Sequence, residues 1–234
     1  MTNTPHAQER ALVVLSGGQD STTCLYWAQQ QFAYVEAVTF DYGQRHRIEL
    51  DCAARIAQMA GVPHTVLPIN TFAALGGNAL TDANIAPESS DHAASDALPN
   101  TFVPGRNLIF LTFAAAMAYQ KNLGHVVTGV AQTDYSGYPD CRENTLKALE
   151  LAINLGMESR IRLHMPLMFM SKAETVHLAE RCGALPALAW SHTCYNGEQP
   201  PCGQCASCVL RAKGFAEAGV TDPLIARLAG HAPC

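Results

Sequence analysis

Three features predict an α/β fold built on a doubly wound, mostly parallel five-stranded sheet. Short apolar runs alternate with helical patterns along most of the chain, the order that gives a parallel sheet with helices on both faces. Runs such as ALVVL (11–15) are apolar at every position, as strands buried on both faces require. A polar, glycine-rich turn, SGGQDST (16–22), follows the first run, at the carboxyl edge where open α/β sheets hold their ligands.

Residues 11–15 are the first strand, and 21–31 the helix after it. Residues 35–40 are the second strand, with a helix over 45–60 and a third strand at 63–69. The stretch NLIFLTFAAAMAYQKN (107–122) is a strong, mostly apolar helix. A fourth strand is expected at 125–130, a helix at 142–156, a fifth strand at 162–166 and a helix at 172–182. Two segments break the alternation. Residues 73–100 are rich in Ala, Asp, Ser and Asn, and a connection of that length reads either as an active-site lid or as an exposed insertion. The tail from Leu185 carries a cysteine cluster. The expected division is therefore a nucleotide-type domain over 1–184 and a small helical segment over 185–234 in which the four cysteines bind a metal. No internal repeat is visible.

With 48% hydrophobic and 15% charged residues, the 234-residue chain suits a globular protein. Its net charge of −5 gives no support for a nucleic-acid partner, which needs a basic face, so metabolite chemistry is expected. The N-terminus, MTNTPHAQER, has no apolar h-region, and no signal peptide is expected. The longest apolar stretches run to about ten residues, against the roughly 20 a spanning helix needs. A soluble cytoplasmic protein without a membrane partner is the expectation.

The glycine turn is a phosphate cradle by its chemistry. Gly17 and Gly18 let backbone N–H groups approach an anion, Ser16, Ser21 and Thr22 add hydroxyls, and the helix N-terminus adds its dipole. A plain glycine turn with a serine cap is the bland alternative. Neither G-x-x-x-x-G-K-[ST] nor G-x-G-x-x-G is present. The pattern SGGxDS at Ser16, Gly17, Gly18, Asp20 and Ser21 resembles instead the PP-loop of the N-type ATP pyrophosphatases. Leu15 and Gln19 complete the candidate nucleotide-binding set. Asp20 beside a polyphosphate would be repulsive unless a cation sat between them, so ATP with Mg²⁺ is expected. Asp20 also suits the first turn of a helix by its charge.

Nine cysteines are present, and four of them lie close together: Cys194, Cys202, Cys205 and Cys208. The spacing C-x7-C-x2-C-x2-C matches a closed tetrahedral Zn²⁺ site, one structural zinc per chain. An iron–sulfur cluster also takes four thiolates, and spacing alone leaves it open.

Three polar or aromatic stretches should converge on the same sheet edge: FDYGQRH (40–46), VPGRN (103–107) and TDYSGYPDCR (133–142). With TCYNGEQPPCGQC in the tail, they closely resemble the 7-cyano-7-deazaguanine synthase (preQ0 synthase) family of the queuosine pathway. The resemblance runs from the SGGQDST loop to LRAKGF (210–215). It implies a fold of the adenine-nucleotide α-hydrolase (HUP/PP-loop) type and an ATP-dependent ligase. The implied reactants are 7-carboxy-7-deazaguanine, ammonia and ATP, combined through adenylated carboxylate and amide intermediates. It also implies a homodimer.

In that scheme Asp20, Arg106 and Lys172 are the candidate catalytic residues. Asp41, Tyr42, Arg106, Asn107, Asp134, Tyr135, Tyr138 and Asp140 are the candidate substrate contacts. Tyr135 and Tyr138 suit stacking on a flat base, and Asp134 or Asp140 suits the N–H edge of a guanine-like ring. An incidental turn is the bland reading of that stretch. Lys172 follows Ser171 in a capping box, Ser171-x-x-Glu174, so it begins a helix whose dipole it opposes; an anionic ligand would offset that penalty. Arg106 and Lys172 otherwise read as solvated surface cations, and His46 as a structural histidine. The rival function is a PP-loop enzyme that thiolates tRNA. It would need a basic face and a catalytic cysteine, for which Cys141 is the one in the right stretch.

Overall fold

The computed structural model describes residues 6–44, 47–69, 71–82, 84–85, 98–132 and 137–230. Five strands, β1 (His6–Val14), β2 (Phe32–Asp41), β3 (His64–Pro68), β4 (His125–Val127) and β5 (Arg162–His164), form one sheet in the order β3-β2-β1-β4-β5. Every pairing is parallel. The crossovers are carried by α1 (Gln19–Gln31), α2 (Ile48–Ala60), α3 (Thr71–Leu75), α4 (Arg106–Gln120) and α5 (Glu143–Gly156). The chain then adds α6 (Lys172–Arg181), α7 (Leu185–Leu188), α8 (Ala206–Ala218) and α9 (Pro223–Leu228).

The period-2 alternation of the strands divides the core into two layers. Leu12, Val38, Val126 and Leu163 face α4 and α5, meeting Leu111, Ala114, Ala118, Leu146 and Ile153. Ala11, Val13, Ala37 and Val127 face the other side, against Leu25, Ala28, Ala53, Ile56 and Leu178. Ala11, Leu12 and Val13 are fully enclosed because β1 is central in the sheet. Burying each large aliphatic side chain of this kind contributes about 1.5–3 kcal/mol. Small residues on α1, α2 and α4 let those helices approach the sheet closely.

Element boundaries depart from the sequence expectation in informative places. The fourth strand stops at Val127, not at 130, although Thr128 N still donates to His164 O at 3.0 Å. Gly129, just beyond the strand, has to be glycine: a Cβ on it would lie 2.9 Å from Asp20 C and Ser21 N, at the start of α1. The fifth strand ends at His164, before Pro166, whose ring nitrogen has no hydrogen to give a ladder. α1 starts at Gln19, two residues early, with Gly18 as its N-cap and Thr22 Oγ1 donating to Gly18 O at 2.7 Å. α2 begins at Ile48; Arg45 and His46, where that helix was expected to start, lie outside the described residues.

The long connection, of which residues 86–97 lie outside the described residues, is partly anchored. Phe72 before it is buried, as are Ala79 and Leu80 within it. Asn78 closes a turn there, its Oδ1 accepting from Leu80 N and Thr81 N.

The tail beyond residue 184 is helical, as expected, and forms three helices, of which α8 is as long as α1. α8 lies on α6 with Gly214 at the crossing, where a Cβ would sit 2.7 Å from Lys172 Cβ. Arg211, buried, donates to Asp222 at 2.7 and 2.8 Å, to Ser191 Oγ at 2.8 Å and to Leu188 O at 3.2 Å. One guanidinium therefore ties α8 to α9 and to the segment leading into the cysteine cluster. Trp190 adds a second tie, with Arg55 3.3 Å and Arg227 4.1 Å from its ring centre.

Candidate active site

The glycine turn leaves β1 at the sheet's carboxyl edge, beside β4, where the strand order reverses. Gly17 adopts φ +81°, and a Cβ there would lie 2.4 Å from Glu49 O and 2.9 Å from Ala53 N. Its glycine is thus demanded by the approach of α2, a reason the sequence did not expose. Gly18 has no such collision, its nearest neighbours lying at 3.5 Å. Ser16 N donates to Ser21 Oγ at 3.1 Å, which closes the loop on itself. Gly17 O accepts from His192 N at 2.9 Å, so the tail is stitched to the loop.

Lys172 and Asp20, proposed separately from sequence, meet here: Lys172 Nζ donates to Asp20 Oδ2 at 2.6 Å. The capping box at Ser171 is formed in both directions, which fixes the start of α6 and so aims Lys172. The cation at that helix start is offset by an aspartate and not by a ligand alone. Asp20 Oδ1 is buried without a hydrogen-bond partner among the described residues, as are Gln19 Nε2 and Thr193 Oγ1. Orphaned polar atoms at one loop are the mark of a ligand site. A buried carboxylate oxygen with no hydrogen-bond donor fits a hard cation of the Mg²⁺ type.

A cavity of about 270 Å³ opens beside the loop. Leu15, Ser16, Gly18, Gln19, Asp20 and Ser21 line one end, whereas Gly17 and Thr22 do not reach it. Tyr42, Arg106, Asn107 and Tyr138 line the other part, so three separated stretches of sequence do converge. Arg106 Nη1 donates to Tyr42 Oη at 3.3 Å. Burial works against the Arg106 charge, but Tyr42, Tyr138, Tyr195 and Asp140 around it more than offset that effect, and its pKa is raised. Burial pushes the Tyr42 and Tyr138 hydroxyls up, so both are neutral donors at physiological pH. Tyr138 Oη pairs with Thr101 Oγ1 at 2.6 Å.

Other candidate residues are engaged elsewhere. Asp41 pairs with exposed Arg47 at 2.8 Å and does not line the cavity. Asp140 is buried, and its Oδ2 accepts from Asn107 N at 3.0 Å, where it holds the first turn of α4. Asp134, Tyr135 and His46 lie outside the described residues. Cys141 lines the cavity, with Asn107 Nδ2 3.3 Å from its sulfur.

The structure adds cavity residues that the sequence reading did not single out. Glu49 comes from the first turn of α2, and burial raises its pKa to about 7 despite the pull of Arg106. His192, Thr193, Tyr195 and Ser207 come from the tail. The TCYNGEQ stretch was visible as a motif, but its place over the glycine loop is a tertiary fact.

The four clustered cysteines present sulfurs that all lie within 4.8 Å of one another. Cys202 and Cys208 Sγ are 3.9 Å apart, close to the roughly 3.8 Å that tetrahedral Zn–S bonds of about 2.3 Å impose. Cys202 N donates to Cys194 Sγ, and Gln204 N and Cys205 N donate to Cys202 Sγ, at 3.4–3.5 Å. The arrangement fits a closed, four-sulfur metal site.

Among the described residues no helix is long and apolar enough to cross a membrane. The family model described as "Queuosine biosynthesis protein QueC" matches residues 10–219. A 7-cyano-7-deazaguanine synthase of Laribacter hongkongensis is 74% identical over 95% of this chain and 96% of its own. One of Chromobacterium violaceum is 74% identical over 97% of both chains, and one of Lysinibacillus sphaericus 50% over 90% and 95%. Among solved structures, the U34-tRNA thiolase NcsA of Methanococcus maripaludis has the same fold, with a TM-score of 0.50 at 16% identity. That likeness covers 98% of this chain and 73% of the thiolase. The fold is the PP-loop type, and the family match and the near-full-length relatives together place the chain in the QueC family of queuosine biosynthesis proteins.

Proposed function

We propose that the protein converts 7-carboxy-7-deazaguanine and ammonia into 7-cyano-7-deazaguanine, consuming two ATP. One observation carries this reading: a single cavity joins a phosphate-type loop with unpaired polar atoms to an arginine–tyrosine region suited to a flat anionic ring. The names of the 74% identical relatives supply the reactants. The substrate carboxylate attacks the α-phosphorus, and pyrophosphate leaves. Ammonia displaces AMP from the acyl adenylate to give the amide. The amide oxygen is adenylated in turn, and loss of the second AMP leaves the nitrile. Carboxylate and amide oxygens are poor leaving groups and AMP is a good one, so one adenylating site serves both rounds.

Ser16, Gly18, Gln19 and Ser21 would hold the departing pyrophosphate, with Thr22 bracing the turn through Gly18 O. Asp20 would hold Mg²⁺, which would neutralise phosphate charge, and Lys172, 2.6 Å from Asp20, would add a second positive charge beside the loop. Arg106 would face the substrate carboxylate, with Tyr42, Asn107 and Tyr138 around the ring; Asp134 and Tyr135 belong to the same proposed surface. The four cysteines would hold one structural zinc. The substrates are small molecules, with no nucleic acid or membrane required, and a homodimer is the proposed state. The test is incubation with 7-carboxy-7-deazaguanine, ammonium and MgATP. AMP and nitrile should form in a 2:1 ratio, and absence of both would refute the assignment. Metal analysis should return one zinc per chain; iron in its place would refute the zinc.

A further inference from the structure

The proposed conversion makes an unusual demand on its site. Nitrogen enters as ammonium, with four N–H bonds, and leaves as a nitrile nitrogen with none. Four protons must therefore depart from one position per turnover. The first leaves as ammonium becomes ammonia. The second leaves as the N–C bond forms and the C–O bond to AMP breaks. The last two leave as the adenylated amide loses AMP. Neither Lys172, a cation paired to Asp20, nor Arg106 is suited to accept them.

Glu49 is placed to do so. Its backbone carbonyl abuts Gly17 of the phosphate-type loop, the residue lines the cavity, and its carboxylate acts on Tyr42 and Arg106 electrostatically. It thus stands where the loop and the arginine–tyrosine region meet, the junction at which a carboxylate and an α-phosphorus must come together. No hydrogen bond to its carboxylate is found among the described residues. The other carboxylate lining the cavity, Asp20, is bound to Lys172, and Asp140 is committed to the start of α4. Arg106 on α4, the neutral Tyr42 and Cys52 one turn along α2 are the groups coupled to Glu49, and Tyr138 and Tyr195 line the same cavity. His192 also lines the cavity, its ring nitrogen 3.2 Å from Cys194 O.

We infer that Glu49 is the general base that removes protons from the nitrogen, in both the amide-forming and the nitrile-forming rounds. Each proton it takes passes to solvent through the cavity mouth before the next, so a single carboxylate suffices. A base that must load and unload four times works best with a pKa near the ambient pH, and burial at this position raises that of Glu49 to about 7.

The inference rests on the proposed synthase reaction, and the test separates the two. Pyrophosphate–ATP exchange dependent on 7-carboxy-7-deazaguanine, measured without ammonium, reports the first adenylation alone. In Glu49→Gln that exchange should stay within about threefold of the parent, while nitrile formation falls roughly 100-fold or more, the range expected for losing a general base. The rise of parent kcat with pH through about 7 should vanish in the variant. Glu49→Asp should recover part of the rate. Parallel loss of exchange and nitrile formation would assign Glu49 to substrate or ATP binding and overturn the inference, as would an unchanged nitrile rate. A parent enzyme that forms no nitrile would instead overturn the synthase reading itself.

Discussion

At the scale of single residues, the two loop glycines look equivalent in sequence and are not. Gly17 combines a left-handed backbone with backbone atoms of α2 at 2.4 and 2.9 Å from any added Cβ. Gly17→Ala should cost about 1–2 kcal/mol for the backbone and about 1–3 kcal/mol for the collision. Gly18 has φ −85° and its nearest neighbours at ordinary contact distance, 3.5 Å, so Gly18→Ala should change stability little. Urea unfolding of the two variants checks this contrast; equal losses would refute it. Glu49 gives a second residue-scale prediction. Its carboxyl holds a proton up to about pH 7 when folded, against 4.5 ordinarily. The folded state therefore binds that proton more tightly, and burial of Glu49 costs nothing below about pH 4.5 and most above about pH 7. Glu49→Gln should gain stability over the parent at pH 8 and gain none at pH 4. A gain that is flat with pH would refute the assignment of the raised pKa.

At the scale of elements, the tail is held by polar contacts as much as by apolar ones. The Arg211–Asp222 pair is buried, with side-chain exposures of 4% and 10%, and Asp222 also caps α9 through Leu224 N at 2.9 Å. Removing one partner leaves the other charged and enclosed. Arg211→Met should destabilise by about 3–5 kcal/mol. Calorimetry that found less than about 1 kcal/mol would show the pair to be replaceable by packing alone. The same arginine holds Ser191, next to the His192 whose N–H reaches Gly17 O. Weaker ATP binding should therefore accompany the lost stability.

At the scale of the whole molecule, the cysteine segment is part of the cavity wall through His192, Thr193, Tyr195 and Ser207. Stripping metal from it should raise hydrogen exchange over residues 192–208 and weaken ATP binding at least tenfold. Far-UV circular dichroism should change little, because the two core layers on the sheet do not depend on those sulfurs. Zn²⁺ should restore both properties. Unaltered ATP affinity in the stripped protein would separate the segment from the site.

The sequence by itself determined a great deal. The apolar runs and their spacing specify the parallel sheet because strands covered on both faces leave no polar alternation to misread. SGGQDS places the ligand edge, and the four cysteines announce a metal site, because both chemistries need particular residues at close spacing. What only the tertiary structure decided is which distant groups meet. Lys172 reaches Asp20 across 152 positions, Gly17 is fixed by α2, and Asp41 and Asp140 turn to structural partners. Glu49 shows the limit most plainly. In sequence it is one more acid at a helix start, the commonest of surface residues. Only the packing of α2 against the loop half-buries it at the cavity wall, and that burial raises its pKa and gives it the chemistry proposed here.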